Sequence, residues 1–364
     1  MTSATQALSD QGVAIWLDDL SRARLDTGTL AKLIAEHHVV GVTTNPSIFQ
    51  AAITGSDDYD ADIARLSADG ADAEGIVRAL TTDDVRRACD LFLPVWEATG
   101  GQDGRVSIEV DPRLAHDTDA TVTQARELSA LVDRPNLLVK IPGTAAGLPA
   151  IRQTIRSGIS VNVTLLFSVE RYRQVMDAYH AGLEDRLAAG EPIDHLASVA
   201  SFFVSRVDTE VDPRLATLDN PRARTLMGKV AVANARSAYG AFLEVADSDR
   251  WQVLEEAGAN PQRPLWASTG VKNPDYSSTV YVTELVAPGT VNTMPEATLE
   301  AVAAAAAVTG DTITSNLDTA RATLDALAEL GIDLLEVTEL LEEQGVTKFA
   351  DSWNALLSTV DAAR

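Results

Sequence analysis

Short apolar or β-branched runs recur along the chain, and most are followed by a longer stretch in which apolar residues return at helical spacing with charged residues between them. Runs at 14–17, 39–43, 106–110, 137–141, 160–166, 197–204, 264–268 and 281–286 predict eight strands. Helical spacing predicts helices at 29–37, 119–132, 144–155, 169–189, 225–245 and 295–307. A helix-rich insertion near 57–99 separates the second and third strands, and residues 316–364 read as two terminal helices. Eight strands joined by crossover helices predict an α/β fold, a (β/α)8 TIM barrel with additional helices, because closure leaves no strand edge exposed. A doubly wound open sheet is the alternative. It lacks its usual glycine-rich fingerprint, since WLDDLSR follows the first run. Neither the insertion nor the terminal helices look like separate units, so residues 1–364 are expected to form a single barrel domain.

Composition narrows the partners. With 46% hydrophobic and 23% charged residues the chain is expected to be globular. Acidic residues outnumber basic ones 53 to 29, a net charge of −24, which disfavours nucleic acid and anionic membranes. A phosphorylated substrate then requires a few basic side chains focused in one cleft. The single cysteine, Cys89, falls in a helical pattern and reads as a small buried residue without a redox role. MTSATQALSDQG has neither the basic start nor the apolar stretch of a signal peptide, and the alanine-rich run at 301–308 is too short to span a bilayer. A cytoplasmic enzyme is expected, monomer or homodimer.

Candidate chemistry lies where polar residues end apolar runs, because barrel active sites form at the C-terminal ends of strands. In LLVKIPGT, alternation sets Leu137, Val139 and Ile141 on one face and Leu138 and Lys140 on the other. If the first face meets the helices, Lys140 points into the barrel, where lost hydration favours the neutral amine that attacks a carbonyl. A lone strand-end lysine that reaches solvent is the ordinary alternative. Asp18, Asn45, Glu109 and Thr164 end or interrupt other strands; singly they read as a cap, a turn bond, a paired carboxylate and a strand threonine. Together they supply what imine chemistry needs: an amine, a proton-transfer carboxylate, a means of placing water and donors for hydroxyls. Arg206, Ser268 and Lys272 are the phosphate candidates, Arg206 having a surface ion pair with Asp208 or Glu210 as its alternative. His37, His38, His116, His180 and His195 show no metal-ligand spacing and read as structural or solvent-facing, so no metal is expected.

GVTTNPSIF at 41–49, LLVKIPGTAAG at 137–147, VNVTLLFS at 161–168 and SFFVSRVD at 201–208, with WLDDLSR and EVDPRL, resemble the transaldolase family over most of the chain. The resemblance implies a cofactor-free class I enzyme in which Lys140 forms a Schiff base with a ketose. It also implies that Asp18 is the acid/base, that Glu109 and Thr164 hold water, and that Asn45 and Ser201 bind the dihydroxyacetone part. The implied sugar-phosphate reaction converts sedoheptulose 7-phosphate and glyceraldehyde 3-phosphate to erythrose 4-phosphate and fructose 6-phosphate, in the non-oxidative pentose phosphate pathway. Many short family members have serine followed closely by arginine at the phosphate; STGVKN here inserts residues and offers lysine. Ser268 maps plainly, whereas Lys272 depends on where the insertion falls, and the Gly270 backbone is a further possibility. A fructose 6-phosphate aldolase and a catalytically silent sugar-phosphate binder are the competing readings.

Overall fold

Eight parallel strands close into a barrel in the order of the chain, in a computed structural model that describes residues 3–364. They are β1 (Val13–Leu17), β2 (Val39–Val42), β3 (Arg105–Glu109), β4 (Leu137–Pro142), β5 (Val161–Leu166), β6 (Ser198–Phe203), β7 (Gln262–Ala267) and β8 (Thr290–Met294). Apart from half-buried Val40 in β2, the strands are shielded from solvent on both faces, which is why most read as near-continuous apolar runs. The closed barrel excludes the open-sheet alternative.

The eighth strand corrects the sequence expectation. The run at 281–286 is not a strand; Val280–Thr283 is a short helix and Thr290–Met294 is β8. Tyr281, Val282, Leu285 and Val286 are buried, and their main-chain carbonyls accept hydrogen bonds from barrel side chains, Leu285 from Trp266 and Tyr281 from Asn292. A short apolar run buried by tertiary packing carries no period that separates helix from strand. TVNTM carries no apolar run because Thr290, Asn292 and Thr293 find hydrogen-bond partners that only the fold brings near. Thr290 donates to the Ala287 carbonyl and Thr293 meets Thr43 at 2.6 Å. The helix expected at 225–245 is also divided, into Pro221–Leu226 and Val230–Ala246.

The insertion forms the helices Asp60–Ala68 and Ala73–Ala98, and the end of the chain forms Leu317–Glu329 and Leu334–Ala363. The insertion is tied to the segment after β1 through Arg22, which reaches Asp62 at 2.6 Å and buried Asp84 at 3.1 Å. The terminal helix packs against Pro46–Thr54, the helix after β2, and Ser352 meets Ser47 at 2.8 Å. It crosses the C-terminal ends of the strands, close to Leu165 and Arg206, where Gly345 lies. A β-carbon on Gly345 would stand 2.9 Å from the Leu165 side chain and 3.5 Å from the Arg206 guanidinium. The missing side chain lets the helix settle on the barrel mouth. No described helix is long and apolar enough to cross a membrane.

His180 is buried and stacked on Trp251 at 5.2 Å. Burial, reinforced by Arg250, holds its pKa down to about 4. The unfolded chain therefore binds more protons than the fold between about pH 4 and the ordinary value of 6.5, so stability falls as pH drops through that window. The expected loss is about 2 kcal/mol by pH 5. Thermal melts at pH 7.5 and 5 should show it in the native chain and largely remove it in His180→Phe; an equal acid sensitivity of both proteins would assign the loss elsewhere.

Candidate active site

Lys140 is one of the two central residues of β4, and its strand partners are Glu109 on β3 and Asn162 on β5. All three are buried, as strand alternation requires of residues turned into the barrel. The Lys140 Nζ donates to the Thr44 carbonyl at 2.9 Å and stands 3.3 Å from Glu109 Oε2. That second contact is an ion pair without hydrogen-bond alignment, and neither carboxylate oxygen of Glu109 has a hydrogen-bond partner. Burial pushes the Glu109 carboxyl up to about 7, against the pull of the Lys140 ammonium. A carboxyl balanced there can take up or release a proton near neutral pH.

Beneath the lysine runs a buried polar layer. Ser201 donates to Asn162 Oδ1 at 2.7 Å, Asn162 Nδ2 donates to Ser107 at 2.9 Å, and Thr44 donates to the Ser107 carbonyl at 2.8 Å. Asp18 follows β1. Its Oδ1 accepts from the Thr43 hydroxyl at 2.7 Å, and removal from water pushes its pKa up while Lys140 and Thr43 pull it back. Asn45 caps the helix Pro46–Thr54, accepting from the Ile48 N–H at 3.0 Å. The local turn bond foreseen for Asn45 is therefore real, and the residue also lines the cavity.

That cavity, about 570 Å³, opens at the C-terminal ends of the strands. Asp18, Asn45, Lys140, Ser201, Arg206, Ser268 and Lys272 line it. Glu109 lies behind the lysine and borders a smaller space of about 40 Å³ with Asn45, Asp111 and Trp353. Thr164 is buried with its hydroxyl unpartnered and is not part of the cavity lining. Beside it Leu165 holds φ of +60°, a conformation costly for a branched residue and concentrated at functional sites. Ser268, directly after β7, shares that feature at φ +55°.

Arg206 does not form the ion pair considered for it. Asp208 is engaged with Tyr281 and the Ala231 N–H, and Glu210 pairs with Arg214. Its guanidinium instead lies over Phe203 at 4.9 Å and Phe349 at 5.9 Å. Burial lowers its pKa, with Asp18 and Glu109 opposing.

The structure adds residues that the sequence did not single out. Thr43 orients Asp18, and Asn162 orients Ser201. Lys348 and Phe349, on the terminal helix, line the cavity together with Arg206 and Lys272. Gly345, Lys348, Phe349 and Ser352 share one face at i, i+3, i+4 and i+7. Arg206, then burial, then Lys272 hold the Lys348 ammonium below its usual range. One signal was available: the chain has only five lysines among its 29 basic residues, and three of the five, Lys140, Lys272 and Lys348, line this cavity. Among the described residues none of Arg206, Lys272 and Lys348 is ion-paired with a carboxylate, whereas most arginines elsewhere are.

The sequence model of the transaldolase/fructose-6-phosphate aldolase family matches residues 15–360. The chain belongs to this family. It is 60% identical over 362 residues to transaldolase 2 of Streptomyces coelicolor, covering 100% of this chain and 97% of the relative. The transaldolase of Mycolicibacterium smegmatis is 60% identical over 362 residues, 98% of each chain, and that of Mycobacterium tuberculosis is 59% identical over 357 residues, 98% of this chain and 96% of the relative. An enzyme of the transaldolase type, a transferase, follows from these relatives. The sequence resemblance to the transaldolase family is thus met over nearly the whole chain.

Proposed function

We propose that this enzyme transfers a dihydroxyacetone unit between sugar phosphates through a Schiff base on Lys140, taking sedoheptulose 7-phosphate and glyceraldehyde 3-phosphate to erythrose 4-phosphate and fructose 6-phosphate in the non-oxidative pentose phosphate pathway. The observation that carries this reading is a buried amine facing a cavity, with Glu109 at 3.3 Å and Asp18 on the same cavity wall. The amine attacks the ketose carbonyl, and Glu109 takes up the proton that the nitrogen must shed. Water leaves and an iminium remains. Asp18 takes the proton of the C4 hydroxyl, the C3–C4 bond breaks, and its electron pair moves through the new enamine to the nitrogen while an aldehyde departs. Attack of the enamine on an acceptor aldehyde, then hydrolysis with water held by Glu109 and Thr164, completes the transfer.

Asn45 and Ser201 are assigned to the hydroxyls of the dihydroxyacetone part, their geometry fixed by the helix cap and by Asn162. Arg206, Ser268 and Lys272 are assigned to the phosphate, joined by Lys348. The cations support this because they converge, without carboxylate partners, in a protein of net charge −24. The enzyme is tested by incubating it with fructose 6-phosphate, with and without erythrose 4-phosphate. Sedoheptulose 7-phosphate formed only with the acceptor supports transfer; free dihydroxyacetone released at a comparable rate without acceptor points to an aldolase, and no turnover points to a binder.

Lys348 is exposed, so its contribution is modest. Lys348→Ala is expected to raise KM for fructose 6-phosphate roughly threefold with little change in kcat, the scale of one screened charge. The salt dependence of KM should flatten in the variant. An unchanged KM at low ionic strength would remove Lys348 from the phosphate site.

A further inference from the structure

Two carboxylates on the helix Ser205–Ala216 repeat one bonding pattern a helical turn apart. Asp208 accepts the Ala231 N–H at 2.8 Å with one oxygen and the Tyr281 hydroxyl at 2.8 Å with the other. Asp212 accepts the Gly228 N–H at 3.0 Å and the Tyr276 hydroxyl at 2.5 Å. Both are buried, at 2% and 8% exposure, and neither is paired with a cation among the described residues. Their charge is met only by N–H and O–H donors, which makes these bonds stronger than neutral ones. Tyr276 is also seated: a β-carbon on Gly228, whose φ is +70°, would stand 2.6 Å from its ring.

The pattern joins the helix that begins with Ser205 and Arg206 to the segment that follows β7. At the cavity end the two are already tied, because the Ser205 N–H donates to the Ser268 carbonyl at 3.0 Å and the two hydroxyls meet at 2.9 Å. Tyr276 and Tyr281 tie them again further on. Arg206 hangs from one side of this frame; Gly270 and Lys272 hang from the other. Lys272 is an exposed, flexible side chain four residues before Tyr276.

We propose that Asp212 with Tyr276, supported by Asp208 with Tyr281, is a positioning clamp that sets the Lys272 loop against Arg206 and so confers preference for phosphorylated over unphosphorylated donors. This rests on the assignment of Arg206 and Lys272 to the phosphate. Neither tyrosine touches the reacting carbons, so the clamp acts on phosphate affinity and leaves the chemistry at Lys140 alone.

The test compares fructose 6-phosphate with fructose as donors and glyceraldehyde as acceptor, using the full chain. Tyr276→Phe keeps the ring on Gly228 and removes one hydroxyl. Its KM for fructose 6-phosphate should rise about tenfold, the scale of one hydrogen bond to a carboxylate, while kcat and all parameters for fructose stay as in the native enzyme. Tyr281→Phe should act in the same direction and serves alone if Tyr276→Phe does not fold. An unchanged KM, or equal losses with both donors, overturns the clamp. Arg206→Ala separates the two levels: if it raises the fructose 6-phosphate KM and the tyrosine variants do not, only the clamp fails, whereas if it leaves that KM unchanged the phosphate assignment fails with it.

Discussion

Lys140→Ala is expected to abolish borohydride trapping with fructose 6-phosphate and to lower turnover on the order of 10⁴-fold or more, the scale on which removal of a covalent nucleophile acts. The amine is the only group in the proposed cycle that bonds to the substrate, so nothing downstream can occur without it. The variant should remain folded. Glu109 loses its cationic neighbour, but a carboxyl already pushed up to about 7 by burial can take a proton and avoid an uncompensated charge. Peptide mass spectrometry decides the matter, because Lys272 and Lys348 share the cavity and offer rival amines. A reduced adduct on either of them, in the native enzyme, would move the Schiff base away from Lys140.

Asp18→Asn should separate the two halves of the reaction. Asparagine keeps the oxygen that accepts from Thr43 at 2.7 Å, so the side chain stays in place and only its capacity to take a proton is lost. Imine formation and trapping on Lys140 should persist, while transfer falls about 10²- to 10⁴-fold, the range of general acid–base catalysis. The raised pKa of Asp18 suits that role, since a carboxylate lifted by desolvation is a better proton acceptor at neutral pH than one in water. Loss of trapping in step with turnover would contradict this division of labour and make Asp18 part of imine formation.

How far the molecule could be read from its sequence depended on what each residue is buried against. Seven strands were legible because most are covered on both faces and so read as short apolar runs bounded by polar segments. β8 was illegible because Thr293 bonds to Thr43 across the barrel while Thr290 and Asn292 bond to carbonyls of the 281–287 segment, partners that no local pattern reveals. Strand alternation allowed an inward Lys140 but left a solvent-reaching lysine open, and its company with Asp18, Asn45, Glu109 and Thr164 at other strand ends is what singled it out. Its contacts with Glu109 and the Thr44 carbonyl required the closed sheet. Thr164 was singled out as a site candidate on the fifth strand, and the structure buries it beside left-handed Leu165, outside the cavity lining. Lys348 was hidden for another reason: a cation on an amphipathic helix looks like any solvated face until the helix is laid across the mouth at Gly345. Asp208, considered from the sequence as a surface partner of Arg206, is turned inward, as only the fold shows.

The scarcity of lysine gives this protein an unusual reactivity map. Arginine resists acylation and carbamylation under mild conditions because it keeps its proton, and arginine supplies most of the positive charge here. Small electrophiles that modify amines therefore find few targets on the outer surface, chiefly Lys32 and Lys229, both exposed. The rest of the side-chain amines stand at one opening. An amine-directed reagent thus labels side chains in only two kinds of place on this protein, the outer surface at Lys32 and Lys229 and the cavity at Lys140, Lys272 and Lys348, so that the pattern of labelling distinguishes an open cavity from a filled one.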